Sequence, residues 1–241
     1  MPVGDPWDAL RRLTPARIGQ ARSGDTVAVG EVLAFQLAHA RARAAVWAPL
    51  REDKLGLGAD ALRVRSQADE RGVFIRRPDL GRRLAPDSAA ALVRGDHDVV
   101  FVIADGLSAI AAERQAPAVL SAARRLLAGW RIAPVVVAHN ARVALGDEIG
   151  HRLGARCVVM MIGERPGLSI AESLSLYMTW APRPGRVDSE RNCISNIHSQ
   201  GGLPAREAAA KLAWLLNGAR ALGASGIGLK EDMPGRGLLE G

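Results

Sequence analysis

The stretch VVMMIGERPGLSIAES, residues 158–173, opens with apolar side chains and changes character at Gly163. The apolar run predicts a strand buried on both faces, because it shows no alternation between polar and apolar residues. The chain then breaks into Glu164, Arg165 and Pro166, a charged turn at which a strand ends. Because a buried strand fixes the turn that follows it, we expect Glu164 and Arg165 to lie at a rigid edge of a sheet.

Similar apolar runs recur before and after this stretch, separated by segments with helical signals. The other predicted strands are DVVFVIADG (98–106), APVVVAHN (133–140) and SLSLYMTW (173–180). The predicted helices are a segment entered at Pro117 and closed at Gly129, LGDEIGHRLG (145–154), and PAREAAAKLAWLLNGARALG (204–223). Apolar strands alternating with helices predict an α/β fold, a Rossmann-like parallel sheet flanked by helices.

The first 65 residues carry helical signals and no clear strand signal. GEVLAFQLAHARARAAVWAPL, residues 30–50, predicts a helix that stops near Pro49. We therefore expect a small N-terminal helical extension over residues 1–65, followed by an α/β domain over residues 66–241.

Polar residues follow three of the predicted strands. Ligands of parallel sheets bind beyond the carboxyl ends of the strands. The expected ligand rim consists of Asp105–Gly106, His139–Asn140 and the turn Gly163–Glu164–Arg165.

Composition and charge exclude several classes of partner. The formal net charge is +7, yet the arginines are spread along the chain, and three Phe, five Trp and one Tyr offer little for stacking on bases. Nucleic-acid binding is therefore not expected. No apolar run approaches the roughly 20 residues that span a bilayer, and no signal peptide is expected, because the start MPVGDPWDALRRL lacks the charged-then-apolar layout of one. Cys157 and Cys193 form no CxxC pair, so we expect a reduced, cytoplasmic setting.

Common catalytic motifs are absent from the sequence. GxGxxG after the first strand, GxxxxGK[ST], GxSxG and HExxH do not occur, and the five histidines show no metal-ligand spacing. No nucleophile with a base and an orienting group can be assembled. We therefore predict no catalytic residue and no metal ligand, and a rim that holds a ligand rather than transforming it.

A second polar stretch, RNCISNIHSQGGLP, spans residues 191–204. It is interpreted as a loop with donors and acceptors for a polar ligand. The alternative is a turn whose side chains satisfy backbone groups, with Cys193 acting as a small buried hydrophobe.

Several motifs together resemble one family. RRPDLGRRL, IADGLSA, GERPGLSIAESLSLY, RNCISNIH and EAAAKLAWLL followed by ASGIGL occur in this order. They resemble the small subunit of ethanolamine ammonia-lyase, a carbon–nitrogen lyase of bacterial ethanolamine use. The resemblance covers roughly residues 70 to 230, whereas residues 1 to 60 match only as a variable helical region.

The resemblance implies a function, a cofactor and a partner. Enzymes of this family use adenosylcobalamin to convert ethanolamine to acetaldehyde and ammonia by radical chemistry. The large subunit, a TIM barrel, binds ethanolamine, and the small subunit covers the cobalamin between the two chains. Val143, Glu164 and Cys193 match cobalamin-contacting residues. The chain is then expected to form a hetero-oligomer, to be inactive alone, and to lie in the cytoplasm, with a bacterial microcompartment as an open alternative.

Each of these residues has an alternative, purely structural explanation. Glu164 would be only a structural residue if it formed a salt bridge with Arg165 or another neighbour. Val143 and Cys193 would be only structural if they lay in the core. Asp105 is expected to cap the next helix, and His198 to hydrogen-bond within its loop rather than ligate cobalt. The alternative functions are a free-standing α/β protein that binds another nucleotide-like ligand and a basic nucleic-acid-binding or scaffold protein.

Overall fold

The computed structural model describes residues 5–14 and 16–230 of the 241-residue chain. The helices of this part are α1 (Asp8–Arg11), α2 (Val29–Trp47), α3 (Arg71–Arg76), α4 (Pro86–Ala90), α5 (Ala109–Leu126), α6 (Leu145–Leu153) and α7 (Ala205–Leu222). The strands are β1 (Arg22–Ser23), β2 (Thr26–Val27), β3 (Leu62–Arg65), β4 (His97–Ala104), β5 (Val136–His139), β6 (Ala155–Gly163), β7 (Leu174–Trp180) and β8 (Arg191–Ile197).

A six-stranded sheet with the order β3-β5-β4-β6-β7-β8 forms the centre of the fold. Strands β3, β5, β4 and β6 are parallel, whereas β7 and β8 run antiparallel to their neighbours. The predicted α/β class, a Rossmann-like sheet flanked by helices, is confirmed. The sheet is parallel over β3, β5, β4 and β6, and β7 and β8 add an antiparallel edge because turns rather than helical crossovers lead into them.

The two faces of the sheet differ in what covers them. The covered face carries Phe101, Met161, Leu174, Leu176 and Met178, which pack with α5 and α7 into one hydrophobic cluster. On the opposite face, Val102, Met160 and Ile162 pack with Leu145 and Ile149 of α6. The buried hydrophobic cluster on this second face includes no residue of β7 or β8. We call this second face of the sheet the open face.

Two element assignments from the sequence need correction. Helix α5 begins at Ala109 and not at Pro117, which lies inside it. Ser108 starts the helix, since its hydroxyl accepts a hydrogen bond from the backbone N–H of Ala111, and the alanine-rich first turns propagate it. Residues 191–197, interpreted as a loop, form β8, whose Ile194 and Ile197 are buried on the covered face.

The N-terminal region contains helices α1 and α2, but it also holds the β1–β2 pair and supplies β3 to the main sheet, strands for which the sequence carries no clear signal. Strand β3 pairs in parallel with β5 at one sheet edge, on the N-terminal side of the predicted boundary at residue 65. The division into 1–65 and 66–241 stays a prediction, and residues 1–4, 15 and 231–241 of it lie outside the described residues. None of the helices in the described part has the length and apolarity needed to cross a membrane.

Candidate functional site

The carboxyl ends of β4, β5 and β6 meet at one rim, as the sequence predicted. The Asp105 carboxylate after β4 accepts hydrogen bonds from the backbone N–H groups of Asn140 (2.8 Å) and Ala141 (3.1 Å) after β5. The backbone N–H of Leu107 donates to the carbonyl of Gly163 after β6 at 3.0 Å. These bonds hold the three turns together, so that the rim is a rigid platform.

Asp105 does not cap the following helix, contrary to expectation. Its carboxylate is bonded to the turn after β5 and to Arg71, and Ser108 takes the capping position because it stands directly before the first helical residue. Burial raises the pKa of the Asp105 carboxyl, an effect that Arg71 opposes through an ion pair of 3.2 Å. Asp105 is therefore a structural residue that ties the turn after β5 to the one after β4.

Glu164 is held by a tyrosine that the sequence analysis did not single out. The Tyr177 hydroxyl donates a hydrogen bond of 2.9 Å to Oε1 of Glu164. Tyr177 lies on the open face, where it packs against the cluster of Met160 and its neighbours. The strand signal contained a hint, because Tyr177 is out of phase with the apolar Leu174, Leu176 and Met178.

Cys193 stands directly opposite Tyr177 in the β7–β8 pairing. Opposed residues of antiparallel strands point to the same face, so Cys193 is on the open face. It is exposed rather than a buried hydrophobe. Partial shielding of the sulfur by the surrounding chain, and then the nearby Glu164 charge, raise the pKa of the thiol. The group is therefore a neutral thiol at neutral pH and not a nucleophilic thiolate.

Tyr177 is correspondingly a neutral donor. Burial, then the neighbouring Cys193 and Glu164, raise the pKa of its phenol above the ordinary value. Both neighbours disfavour a phenolate, so the hydroxyl keeps the proton that it donates to Glu164.

Val143 occupies the turn between β5 and α6. It is half-buried and packs against the same open-face cluster as Tyr177. Its carbonyl accepts from the backbone N–H of Gly146 at 3.1 Å, which fixes the start of α6. Val143, Glu164 and Cys193 thus lie on the same side of the sheet, with Tyr177 connecting the last two.

The rest of the stretch after Cys193 is internally bonded. His198 is buried, its Nε2 lies 2.8 Å from Oδ1 of Asn196, and its Nδ1 accepts from the backbone N–H of Gln200 at 3.2 Å. The expectation that His198 hydrogen-bonds within its segment is confirmed. Within the described ranges, no group of three or more His, Cys, Asp or Glu side chains has the arrangement needed to hold a metal ion.

Comparisons with known proteins give one consistent result. The family model described as ethanolamine ammonia-lyase light chain matches residues 4–230. A protein of Azotobacter vinelandii named ethanolamine ammonia-lyase small subunit is 47% identical, over 95% of this chain and 89% of its own. Proteins with the same name from Rhodopseudomonas palustris and Rhodococcus erythropolis are 50% and 44% identical, over 92% and 95% of this chain and 89% and 91% of their own.

Proposed function

The chain belongs to the ethanolamine ammonia-lyase light-chain family, and on this premise we propose that it seats adenosylcobalamin at an interface with the large subunit of that enzyme. Membership makes the chain a component of a lyase. The name small subunit, borne by its relatives, implies a larger partner chain. The seating of the cofactor, the residues involved and the surface of contact are proposals, argued below from the open face.

The observation that carries the proposal is the hydrogen bond from Tyr177 to Glu164, opposite Cys193, on a part of the sheet outside the buried cluster of α6. The corrin ring of cobalamin is fringed by amide side chains, which need hydrogen-bond acceptors. A carboxylate offers about four lone-pair sites, so Glu164 keeps acceptor capacity beyond the one bond from Tyr177. A held carboxylate on an exposed rim fits this ligand.

Val143 and Cys193 suit the same ligand by packing. Both side chains are small, and the protonated thiol of Cys193 carries no charge that would oppose an apolar ring edge. Because they flank Glu164 on the same face, they supply contact area while Glu164 supplies orientation. The rigid rim below them limits movement of the ligand, which favours the alignment of reacting fragments by preorganisation.

The bound cofactor supplies the radical chemistry that converts ethanolamine to acetaldehyde and ammonia, and the protein supplies binding and orientation. In this division of roles, Tyr177 fixes the Glu164 carboxylate and Glu164 accepts an amide N–H. The large subunit provides the ethanolamine site. We propose that turnover requires both subunits in the cytoplasm, with or without enclosure in a microcompartment.

The surface of contact with the large subunit includes α2. This helix exposes Val29, Leu33, Phe35, Leu37 and Trp47, which are apolar residues on several sides of the helix. Exposed apolar surface of this extent is typical of protein interfaces. The apolar run SLSLYMTW does not offer such a surface, because it forms β7, in which Leu174, Leu176 and Met178 are buried.

Replacement of Glu164 by Gln in the complex with the large subunit tests the proposal. The change keeps the shape but removes the charge, and charge-assisted hydrogen bonds contribute about 1.5–3 kcal/mol, so cobalamin affinity should fall roughly 10- to 100-fold. Equilibrium dialysis of each complex against increasing concentrations of adenosylcobalamin measures this affinity. The wild-type complex should bind cobalamin and form acetaldehyde, and the chain alone should not.

Asp60→Asn is the matched control, because it removes an exposed carboxylate before β3, at the opposite edge of the sheet. It should leave cobalamin affinity unchanged. Equal affinity of the wild-type and Glu164→Gln complexes, with a lowered melting temperature of the variant, would make Glu164 a structural residue. A wild-type complex that retains another nucleotide-like molecule and no cobalamin would favour the alternative function.

A further inference from the structure

Two half-buried arginines beside the rim have guanidinium groups that are only partly satisfied. Arg71 begins α3, and Arg142 lies between β5 and α6. Nη2 of Arg71 and Nε of Arg142 are inaccessible to solvent and have no hydrogen-bond partner among the described residues. A buried donor without a partner costs about 1–3 kcal/mol, and more when it is charged. Such donors need an acceptor, which a bound anion or an ordered water would supply.

Phe74 holds both guanidinium groups in place. The central guanidinium carbon lies 4.8 Å from the Phe74 ring centroid in Arg71 and 4.2 Å in Arg142, which are cation–π distances. Arg142 also donates to the Phe74 carbonyl at 3.2 Å, and its backbone N–H donates to the Gly81 carbonyl at 2.8 Å. A side chain at Gly81 would meet Arg142 and Phe74 within 3.0 Å, so the close packing depends on glycine there.

The charge around this pair is unbalanced. Burial first, and then the positive charges of Arg71, Arg82 and Arg165, lower the pKa of the Arg142 guanidinium. Asp105 is the carboxylate that pairs with Arg71, and its oxygens also accept from the backbone N–H groups of Asn140 and Ala141. The Arg142 guanidinium is therefore influenced by three positive neighbours and by one carboxylate, Asp105, an arrangement that an anion would stabilise.

We propose that Arg71, Arg142, Arg82 and Arg165 form a binding site for a phosphate-type anion, occupied by the phosphodiester of the nucleotide tail of cobalamin. Guanidinium groups bind phosphate oxygens through paired N–H donors, and Arg is suited to this geometry. The site adjoins the proposed corrin contacts directly, since Arg142 precedes Val143 and Arg165 follows Glu164. This inference rests on the proposed function, because it takes cobalamin as the ligand.

Cobinamide, which has the corrin ring but lacks the nucleotide tail and its phosphodiester, is the probe that separates the two claims. Cobalamin and cobinamide are each titrated by equilibrium dialysis into the complex of the chain with the large subunit. Arg142→Gln should weaken cobalamin binding about 10- to 100-fold, as expected for loss of a charge-assisted hydrogen bond. It should change cobinamide binding less than about threefold.

Arg82→Gln is a second test of the site that should not disturb folding, because Arg82 is exposed and contributes charge rather than packing. It should lower cobalamin affinity about two- to fivefold, with no loss for cobinamide. Arg124→Gln, which removes an exposed charge in the last turn of α5, is the matched control and should change neither affinity. Thermal melts of all variants confirm that they are folded.

In a second experiment, inorganic phosphate is titrated into the same complex. It distinguishes a site for a free anion from a site for the nucleotide tail of cobalamin. Phosphate should weaken cobalamin binding competitively and leave cobinamide binding unchanged. If Arg142→Gln weakens both corrinoids equally, or neither, the site does not bind the tail and the inference is overturned. Phosphate binding that depends on Arg142 without any effect on cobalamin would assign the site to a free anion and also overturn it. A wild-type complex that binds neither corrinoid contradicts the proposed function itself.

Discussion

The covered and open faces of the sheet are built from alternate residues of the same strands. They differ in the side chains that they carry at β7 and β8. On the covered face, Leu174, Leu176 and Met178 continue the buried cluster under α5 and α7 to the edge of the sheet. On the open face the hydrophobic cluster stops at β6; the buried side chains of β7 on this face are the polar Ser175 and Thr179, Tyr177 is half-buried, and Cys193 is exposed. Both faces therefore contribute to the core, and the open face in addition presents polar groups at β7 and β8.

Neighbouring residues of β7 show the division most clearly. Leu176 and Tyr177 are adjacent in the chain and point to opposite faces. Leu176 lies in the core, and Tyr177 donates to Glu164. Substitutions at these two positions should consequently separate stability from ligand binding, because each residue serves one face.

The largest effect is expected on the covered face. Leu176→Ala removes a fully buried side chain and leaves a cavity, so the free energy of unfolding should fall by about 2–5 kcal/mol. Urea unfolding of the chain, followed by tryptophan fluorescence, measures it. Leu222→Ala is the matched control, because this leucine is exposed on α7 and should change stability by less than about 0.5 kcal/mol. Equal effects of the two substitutions would contradict the assignment of the core.

A smaller effect is expected at the amino end of β4, away from the rim. The Arg131 hydrogen bond lowers the pKa of the Asp98 carboxyl from 3.8 to about 2, and a further ion pair of 3.1 Å joins Asp98 to Arg220. Because the folded-state pKa is the lower one, this stabilisation is present above pH 3.8 and is lost as the pH falls through about 2. The shift corresponds to about 2 kcal/mol.

Urea titrations of wild type and Asp98→Asn at several pH values test this linkage. The variant should be less stable by about 2 kcal/mol at neutral pH, and the difference should shrink between pH 4 and pH 2. Adenosylcobalamin affinity of the complex at neutral pH should not change, since Asp98 lies at the opposite end of the strand from the rim. A difference that is constant over this range of pH would refute the lowered pKa.

The smallest effect is expected at Tyr177 on the open face. Tyr177→Phe removes the hydrogen bond that orients the Glu164 carboxylate but keeps its charge, so only part of the contribution of Glu164 to cobalamin binding should be lost. Cobalamin affinity of the complex should fall roughly two- to tenfold, with little change in stability because the ring is kept. The combined variant with Glu164→Gln should bind about as weakly as Glu164→Gln alone, because Tyr177 acts through Glu164. Fully additive losses would show that Tyr177 has an independent role.

Much of the fold could be predicted from local patterns. Helices α6 and α7 end where the sequence predicted, since Gly154 and Gly223 adopt the left-handed conformation that ends a helix. Strands β4, β5 and β6 were recognisable because burial on both faces requires continuous apolar runs. The meeting of the three turns at one rim followed from the parallel arrangement of those strands.

Strand β8 escaped prediction for a physical reason. Its buried Ile194 and Ile197 are three residues apart, a spacing that a regular strand does not give to one face. A shift in the β7–β8 register between Leu174 and Leu176 accommodates it. An irregularity of this kind depends on the neighbouring strand, so the alternation that identifies a strand is absent from the sequence.

By itself, the sequence determined the α/β class, the rigid turn at Glu164 and the family motifs, because burial patterns, turn residues and short motifs are local properties of the chain. Only the tertiary structure decided that Tyr177 joins Glu164 and Cys193 on one face, that Asp105 ties two turns together, and that Arg71 and Arg142 share Phe74. These contacts join residues from different elements. Strand order, strand direction and packing set which residues become neighbours, and none of these is encoded within a single stretch of sequence.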